Sequence, residues 1–197
     1  MRQRGFTLIE LLTGITVLAL ILVSIMPAVG NWLDNTRIRN AADSLQNGMQ
    51  TARGEAIRRN QSMSFWMVGL NNPAVLSDDC TLSSASASWV VSINSPVAHC
   101  ADEPSTDSSP MLVVGRAAGA GRVSVKAVGQ DGTTAATTVT FDGFGRITNT
   151  DAINRIDLTG TGTGTDTRDL RLLISAAGSV RLCDPAVSDS NDPRKCS

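Results

Sequence analysis

Residues 6–33 form an uncharged, largely apolar run interrupted by one ionisable side chain, Glu10. As an α-helix such a run extends ~40 Å, more than the ~30 Å of a bilayer core. It is too long and too apolar to be the surface helix of a small soluble domain. A carboxylate left unpaired in hydrocarbon is costly, so Glu10 needs a partner and is a functional residue by default. The best partner is an amine. Cutting after Gly5 would create a positive N-terminus at Phe6, one helical turn from Glu10. The same amine on one copy could meet Glu10 of the next in a helical assembly. Two plainer readings fit less well. A secretory signal peptide has an apolar core of roughly 7–15 residues followed by a small-residue cleavage site. Arg2 and Arg4 supply its basic start, but the core here is too long, carries Glu10 and ends at Met26-Pro27-Ala28-Val29 without such a site. A plain one-pass anchor is satisfied on length alone. Arg2 and Arg4 orient the segment with its start in the cytoplasm, so everything after it faces outward.

Behind this segment there is room for one folded domain. Its cysteines, Cys80, Cys100, Cys183 and Cys196, lie on the outward side, where disulfides persist. Pairing sequence neighbours, Cys80 with Cys100 and Cys183 with Cys196, is the simplest of three connectivities. Each bridge would close a loop worth roughly 3 kcal/mol in the chain-entropy model. A zinc site is the sharper alternative, but C-x-x-C spacing is missing and His99 is the only histidine. Charge is uneven along the chain. Residues 34–60 carry Arg37, Arg39, Arg53, Arg58 and Arg59 against Asp34, Asp43 and Glu55. Residues 61–110 hold no Lys or Arg, only Asp78, Asp79, Asp102, Glu103 and Asp107. Bulk attraction to nucleic acid is therefore not expected, and any such binding must use a local basic patch.

The helix is expected to continue past the apolar run. Ile38, Ala42, Leu45, Met49, Ala52 and Ala56 recur at spacings of four and three, which is one apolar helix face. That stripe reads as a stem half packed under a globular head, ending near Asn60. Pro27 should kink or loosen the helix. Beyond the stem, strands are expected at 62–68, 89–93, 111–115, 122–128, 137–141, 169–175 and 180–183, each short, β-branched or aromatic and bounded by turn residues. Phe141-Asp142-Gly143-Phe144-Gly145-Arg146 and Ala176-Ala177-Gly178-Ser179 read as tight turns. Stretches 83–88, 102–110 and 159–167 are poor core material and read as surface loops. Trp66 and Trp89 fall in expected strands, where core packing is the default.

The run Gly5-Phe6-Thr7-Leu8-Ile9-Glu10 and the apolar segment after it resemble the signal of type IV pilins and of the pseudopilins of type II secretion. The resemblance implies cleavage between Gly5 and Phe6 and N-methylation of Phe6 by a membrane prepilin peptidase. It gives Glu10 a role in setting register through a neighbour's amine. A proline at the depth of Pro27 is also seen in pilins. Narrower motifs, Ala41-Ala42-Asp43-Ser44-Leu45, Ala52-Arg53-Gly54-Glu55-Ala56-Ile57-Arg58-Arg59-Asn60, Phe141-Asp142-Gly143-Phe144-Gly145 and Gly178-Ser179-Val180-Arg181-Leu182-Cys183-Asp184-Pro185, resemble the GspH/FimT branch of minor pilins and pseudopilins. The implied fold is α+β, a long N-terminal helix packed on a β-rich head of antiparallel sheets. The implied organisation is a leader (1–5), a transmembrane or filament-core half-helix (6–33), an amphipathic stem (34–60) and a disulfide-bearing head (61–197). Some members of this branch act as DNA receptors through a Gly-Arg-x-Arg turn. This chain has Gly178-Ser179-Val180-Arg181, so the first arginine is replaced by Ser179. Arg181 remains, with Arg171, Arg194 and Lys195 as candidate DNA contacts interleaved with Asp184, Asp189 and Asp192.

No catalytic constellation stands out. His99 would have to serve any Ser-His-Asp or Cys-His site, and its neighbour Cys100 is better read as a disulfide partner. Asp78-Asp79 and Asp189 with Asp192 lack the ligand spacing of a calcium loop, and residues 160–164 lack the Lys of a phosphate-binding loop. The expectation is a non-catalytic chain without cofactor or metal: a minor pilin taking part in the tip or initiation complex of a bacterial type IV pilus. It would sit in the inner membrane with a periplasmic head before joining the filament, with prepilin peptidase and other minor and major pilins as partners. A DNA-binding competence pilin, binding DNA weakly, and a type II secretion pseudopilin are the alternatives.

Overall fold

A computed structural model describes residues 7–119, 121, 123–161 and 167–196, excluding the side chains of 24–28. One helix, α1 (Leu8–Arg59), dominates it. Thr7 caps its start and Asn60, in the left-handed region at φ 50° and ψ 41°, closes its end with its N–H turned back to Ala56 and Ile57. Asparagine tolerates that conformation better than most residues, which is why the helix can stop here without glycine. Pro27 lies within α1, but its side chain is outside the described residues, as are Gly5 and Phe6.

The six stripe residues, Ile38, Ala42, Leu45, Met49, Ala52 and Ala56, are completely buried. Two antiparallel sheets receive them. The first joins β1 (Met63–Gly69), β2 (Thr81–Leu82), β3 (Ser88–Ser92), β4 (Leu112–Arg116) and β6 (Thr138–Phe141) in the order β2-β1-β3-β4, with β6 also on β1. The second joins β5 (Val123–Val128), β7 (Arg155–Gly160), β8 (Leu170–Ile174) and β9 (Val180–Cys183) in the order β5-β7-β8-β9. Strand alternation aims Met63, Phe65, Met67 and Phe141 of the first sheet, and Ile156, Leu158 and Leu172 of the second, into one core with the helix stripe. Small residues on that stripe let the helix approach closely. At Gly48 it passes over the Phe65–Trp89 ring pair, whose centroids are 5.8 Å apart. Trp89 Nε1–H donates to the Ser44 hydroxyl at 3.0 Å, so the indole is satisfied as it is buried.

The far face of the first sheet forms a smaller core of Val68, Val90 and Leu112 around the Cys80–Cys100 disulfide. A second bridge joins Cys183 to Cys196.

Two sequence expectations need correction. β7 lies inside a stretch that carried no expected strand, yet it is an interior strand paired on both sides. Trp66 points away from the main core and is half-buried against the smaller one, because it alternates with the inward Phe65 and Met67. Among the described residues no helix is long and apolar enough to cross a membrane.

Candidate functional site

Three places carry the residues singled out in the sequence. The first is the start of α1. Thr7 and Glu10 form a reciprocal cap: Thr7 N–H donates to Glu10 Oε2 at 3.0 Å, and Glu10 N–H donates to Thr7 Oγ1 at 3.3 Å. The Thr7 hydroxyl also donates to Glu10 Oε2 at 2.8 Å. The carboxylate therefore closes the exposed N–H groups of its own helix start, where a negative charge is favoured. The side chains that follow, Leu8, Ile9, Leu11, Leu12 and Ile15 among them, are exposed.

The second place is the far end of the stem, where motifs distant in sequence converge. Arg53 Nε–H donates to the Gly145 carbonyl at 3.0 Å, and its Nη2–H reaches the Ala177 carbonyl at 3.4 Å. One guanidinium thus ties the helix to the turn after β6 and to the β8–β9 hairpin. The turns interlock because both glycines have positive φ, +76° at Gly145 and +77° at Gly178, and because a Cβ on Gly178 would strike the Gly145 carbonyl oxygen. In the first turn, Asp142 Oδ1 accepts N–H bonds from Phe144 and Arg146, both at 2.9 Å, and Oδ2 pairs with the Arg146 guanidinium at 3.1 Å. The Arg146 backbone N–H is the largest of several bonds holding the Asp142 carboxyl below its ordinary range. Nearby, Glu55 takes both Arg58 and Arg59, and its pKa is lowered chiefly by the Arg58 hydrogen bond. Sequence reasoning missed Arg53 as a clamp. The available signal was a charged residue set beside the apolar stripe, between Ala52 and Ala56.

The third place is the C-terminal loop with β8 and β9. Arg171 Nε is paired with Asp157 Oδ1 at 2.6 Å, and Arg194 Nη2 with Asp192 Oδ2 at 2.6 Å. Arg181 Nη2–H donates to the Lys195 carbonyl at 2.5 Å, so it fastens the disulfide loop to β9. The loop is also tied at Asp184, whose buried carboxylate meets Arg168 Nε at 2.8 Å. The Arg194 side chain lowers the Asp192 pKa to about 2. The structure brings Arg181 close to Lys195, but Arg171, Arg181 and Arg194 are already engaged with protein acceptors. The carboxylates paired with Arg171 and Arg194 offset their charge and weaken attraction to a phosphate.

None of the three places sets a nucleophile beside a base. His99 Nδ1 lies 3.1 Å from Asp102 on the surface, and Cys100 is held in its disulfide. Among the described residues no group of three His, Cys, Asp or Glu could hold a metal ion.

The convergence of the stem, the Gly145 turn and the Gly178 hairpin matches the span of a known family. The profile described as "Type II transport protein GspH" fits residues 41–178, well over half the chain. The chain belongs to the GspH/FimT family of type IV minor pilins and pseudopilins. A second profile, described as "Prokaryotic N-terminal methylation motif", fits residues 1–26. No curated protein matches the chain. Among solved structures it is similar to the Pseudomonas aeruginosa type IV minor pilin FimU in two crystal forms. The P21 form gives 15% identity and a TM-score of 0.47, over 77% of this chain and 91% of FimU. The P65 form gives 17% identity and a TM-score of 0.44, over 73% of this chain and 90% of FimU. As a member of this family the chain is a filament-type subunit, and the family is a structural one.

Proposed function

We propose that this protein is a minor pilin that takes part in assembling a bacterial type IV pilus, in its tip or initiation complex, with a structural and non-catalytic role. The observation that carries this reading is the division of α1. Its C-terminal half is sealed under the head, while its N-terminal half leaves apolar side chains exposed between Leu8 and Val23 and again at Val29, Trp32 and Leu33. A helix that is apolar all round belongs in lipid or among other helices. On this reading prepilin peptidase removes residues 1–5 and methylates Phe6. Residues 6–33 then hold the chain in the inner membrane with its head in the periplasm. Glu10 exchanges its own cap for a neighbour's amine as the helix enters the filament core among other minor and major pilins.

A second reading, a pseudopilin of type II secretion, is favoured by the match to the type II transport protein family. The same experiment separates the two. The gene is deleted, and pilus assembly, protein secretion and DNA uptake are scored side by side. Loss of pili with secretion intact supports the minor-pilin reading. Loss of secretion with pili intact assigns the chain to the secretion pseudopilus, and loss of DNA uptake with both intact assigns it to DNA reception.

A further inference from the structure

Where α1 passes β8 and β9 there is a cleft of about 450 Å³. Ile38 is the first buried residue of the stem stripe, so the cleft opens where the helix leaves the head. Its walls divide by chemistry. Trp32, Leu170 and Leu182 supply apolar surface. Trp32 is 66% exposed, and the exposed Val29 and Leu33 continue the apolar surface down the helix. Arg39, Arg168 and Arg194 supply positive charge against a single lining carboxylate, Asp184. Arg168 is paired with Asp184 and Arg194 with Asp192, so the charge left over is that of Arg39. Arg39 is exposed and has no carboxylate partner among the described residues. Arg168 spends only its Nε on Asp184, which leaves its Nη groups without an acceptor among the described residues.

The level of this cleft follows from the charges around the apolar run. Residues 11–33 carry no charged side chain, and Glu10 and Asp34 bound them. As a helix they rise ~34 Å, which fits a ~30 Å hydrocarbon core with a slight tilt. That registration puts Trp32 at the outer boundary, the level where tryptophan anchors membrane helices. Arg39 lies two helical turns beyond Trp32, ~10 Å along the axis and on the same face. Helical side chains lean toward the N-terminus, so Arg39 reaches back to the level of the headgroups. A guanidinium binds phosphate oxygens through paired N–H donors. A phosphate joined to an apolar tail therefore matches both walls of the cleft. A zwitterionic headgroup would bring an ammonium up to the arginines, and an anionic one does not.

We propose that this cleft holds the phosphate of an anionic phospholipid from the outer leaflet of the inner membrane. The inference rests on the membrane-anchored stage of the reading above. Arg39 and the Nη groups of Arg168 donate to the phosphate oxygens, and Trp32 packs against the glycerol end of the acyl chains. The bound lipid fixes the height and rotation of the head before the helix leaves for the filament.

The test uses the full-length chain in phosphatidylcholine nanodiscs doped with phosphatidylglycerol that carries a photoreactive diazirine in its headgroup. Adducts are mapped by mass spectrometry after irradiation. The expected product is lipid attached to residues 32–39 or 168–184, lowered at least ~10-fold by Arg39→Ala, the effect of losing one charge-assisted contact. Arg39→Lys should restore it only in part, since an ammonium lacks the paired donors. Arg39 is exposed, so neither change touches the core. Adducts spread along the apolar helix and unchanged by Arg39→Ala overturn the site and leave the membrane anchor standing. Equal yield from a phosphatidylcholine probe overturns the choice of an anionic lipid. Inorganic phosphate or duplex DNA at the probe's own concentration should leave the adduct in place, and its loss to either reassigns the cleft and overturns the proposal. Chain washed from its native membranes by alkaline carbonate refutes the anchor, and the lipid site with it.

Discussion

Gly48 and Gly54 lie on the same helix, and replacing each by alanine should move stability in opposite directions. Both positions are helix interior, where alanine is favoured over glycine by ~1 kcal/mol. At Gly54 a Cβ would meet nothing within 4 Å, so the full gain should appear. At Gly48 the Cβ would lie 2.7 Å from Phe65 Cε2, 2.7 Å from Trp89 Cδ2 and 2.8 Å from Trp89 Cε2. Neither ring can swing aside cheaply. Phe65 is fully buried, and Trp89 is fixed by its hydrogen bond to Ser44. Overpacking a core costs ~1–3 kcal/mol. Two crowded rings place Gly48→Ala at the upper end, for a net loss of ~1–2 kcal/mol once the helix gain of ~1 kcal/mol is counted. The two variants should therefore differ by ~2–3 kcal/mol, roughly 30- to 150-fold in the folded-to-unfolded ratio. Equilibrium urea unfolding of the detergent-solubilised full-length chain, followed by circular dichroism and by tryptophan fluorescence, reads the difference. Midpoints that shift the same way in both variants would refute the claim that the helix is seated against these rings.

Arg53→Ala should loosen both turns it ties by ~1.5–3 kcal/mol, the range for hydrogen bonds to a charged group. Hydrogen exchange should rise at 142–146 and 176–179, and Arg53→Lys should not restore protection, since an ammonium lacks the planar fork that spans two carbonyls. Glu10→Val should leave membrane insertion intact, because it removes a charge, while lowering the amount of chain in sheared pili; normal incorporation would count against the pairing with a neighbour's amine. The Asp192 carboxyl has its folded pKa lowered from 3.8 to about 2, so its contribution to the C-terminal loop is present above the unfolded value and lost as pH falls through about 2. A carboxylate NMR titration with a midpoint at or above 3.8 would remove that tie. Duplex DNA should bind weakly and lose affinity at physiological salt, with Arg181→Ala reducing any low-salt binding and Ser179→Arg increasing it by one phosphate contact. Salt-resistant binding abolished by Arg181→Ala in a gel-shift titration would make DNA reception the leading function.

What the sequence reveals of this fold depends on whether one element's pattern settles the matter alone. The stem stripe is legible because a helix face repeats locally, and all six of its residues are fully buried. Most strands are legible for the same reason. β7 is not, although it is an interior strand. Only Ile156 and Leu158 mark its inner face, and the outer face carries Arg155, Asp157 and Thr159, followed by a Gly/Thr run. Its polarity makes sense only across strands, where Asp157 pairs with Arg155 on its own strand and with Arg171 on β8. No single-strand pattern contains that compensation.

The site divides along the same line. Glu10 announces itself because a carboxylate in an apolar run is a local contradiction. Arg53 does not, because its acceptors are backbone carbonyls of turns 92 and 124 positions away, and a carbonyl leaves no mark in sequence. The glycines on the receiving side were visible only as turn formers. Their tighter requirement, that Gly178 must lack a Cβ so that the Gly145 carbonyl can approach, belongs to two turns meeting on one guanidinium. The same geometry gives the exposed Phe144 its meaning. In sequence it is one aromatic in a Gly-rich turn. In the structure it stands on a base fixed by Asp142, Arg53 and Asn60. An aromatic held that firmly and left that exposed is a property of two turns meeting on one arginine, which neither turn's sequence contains alone.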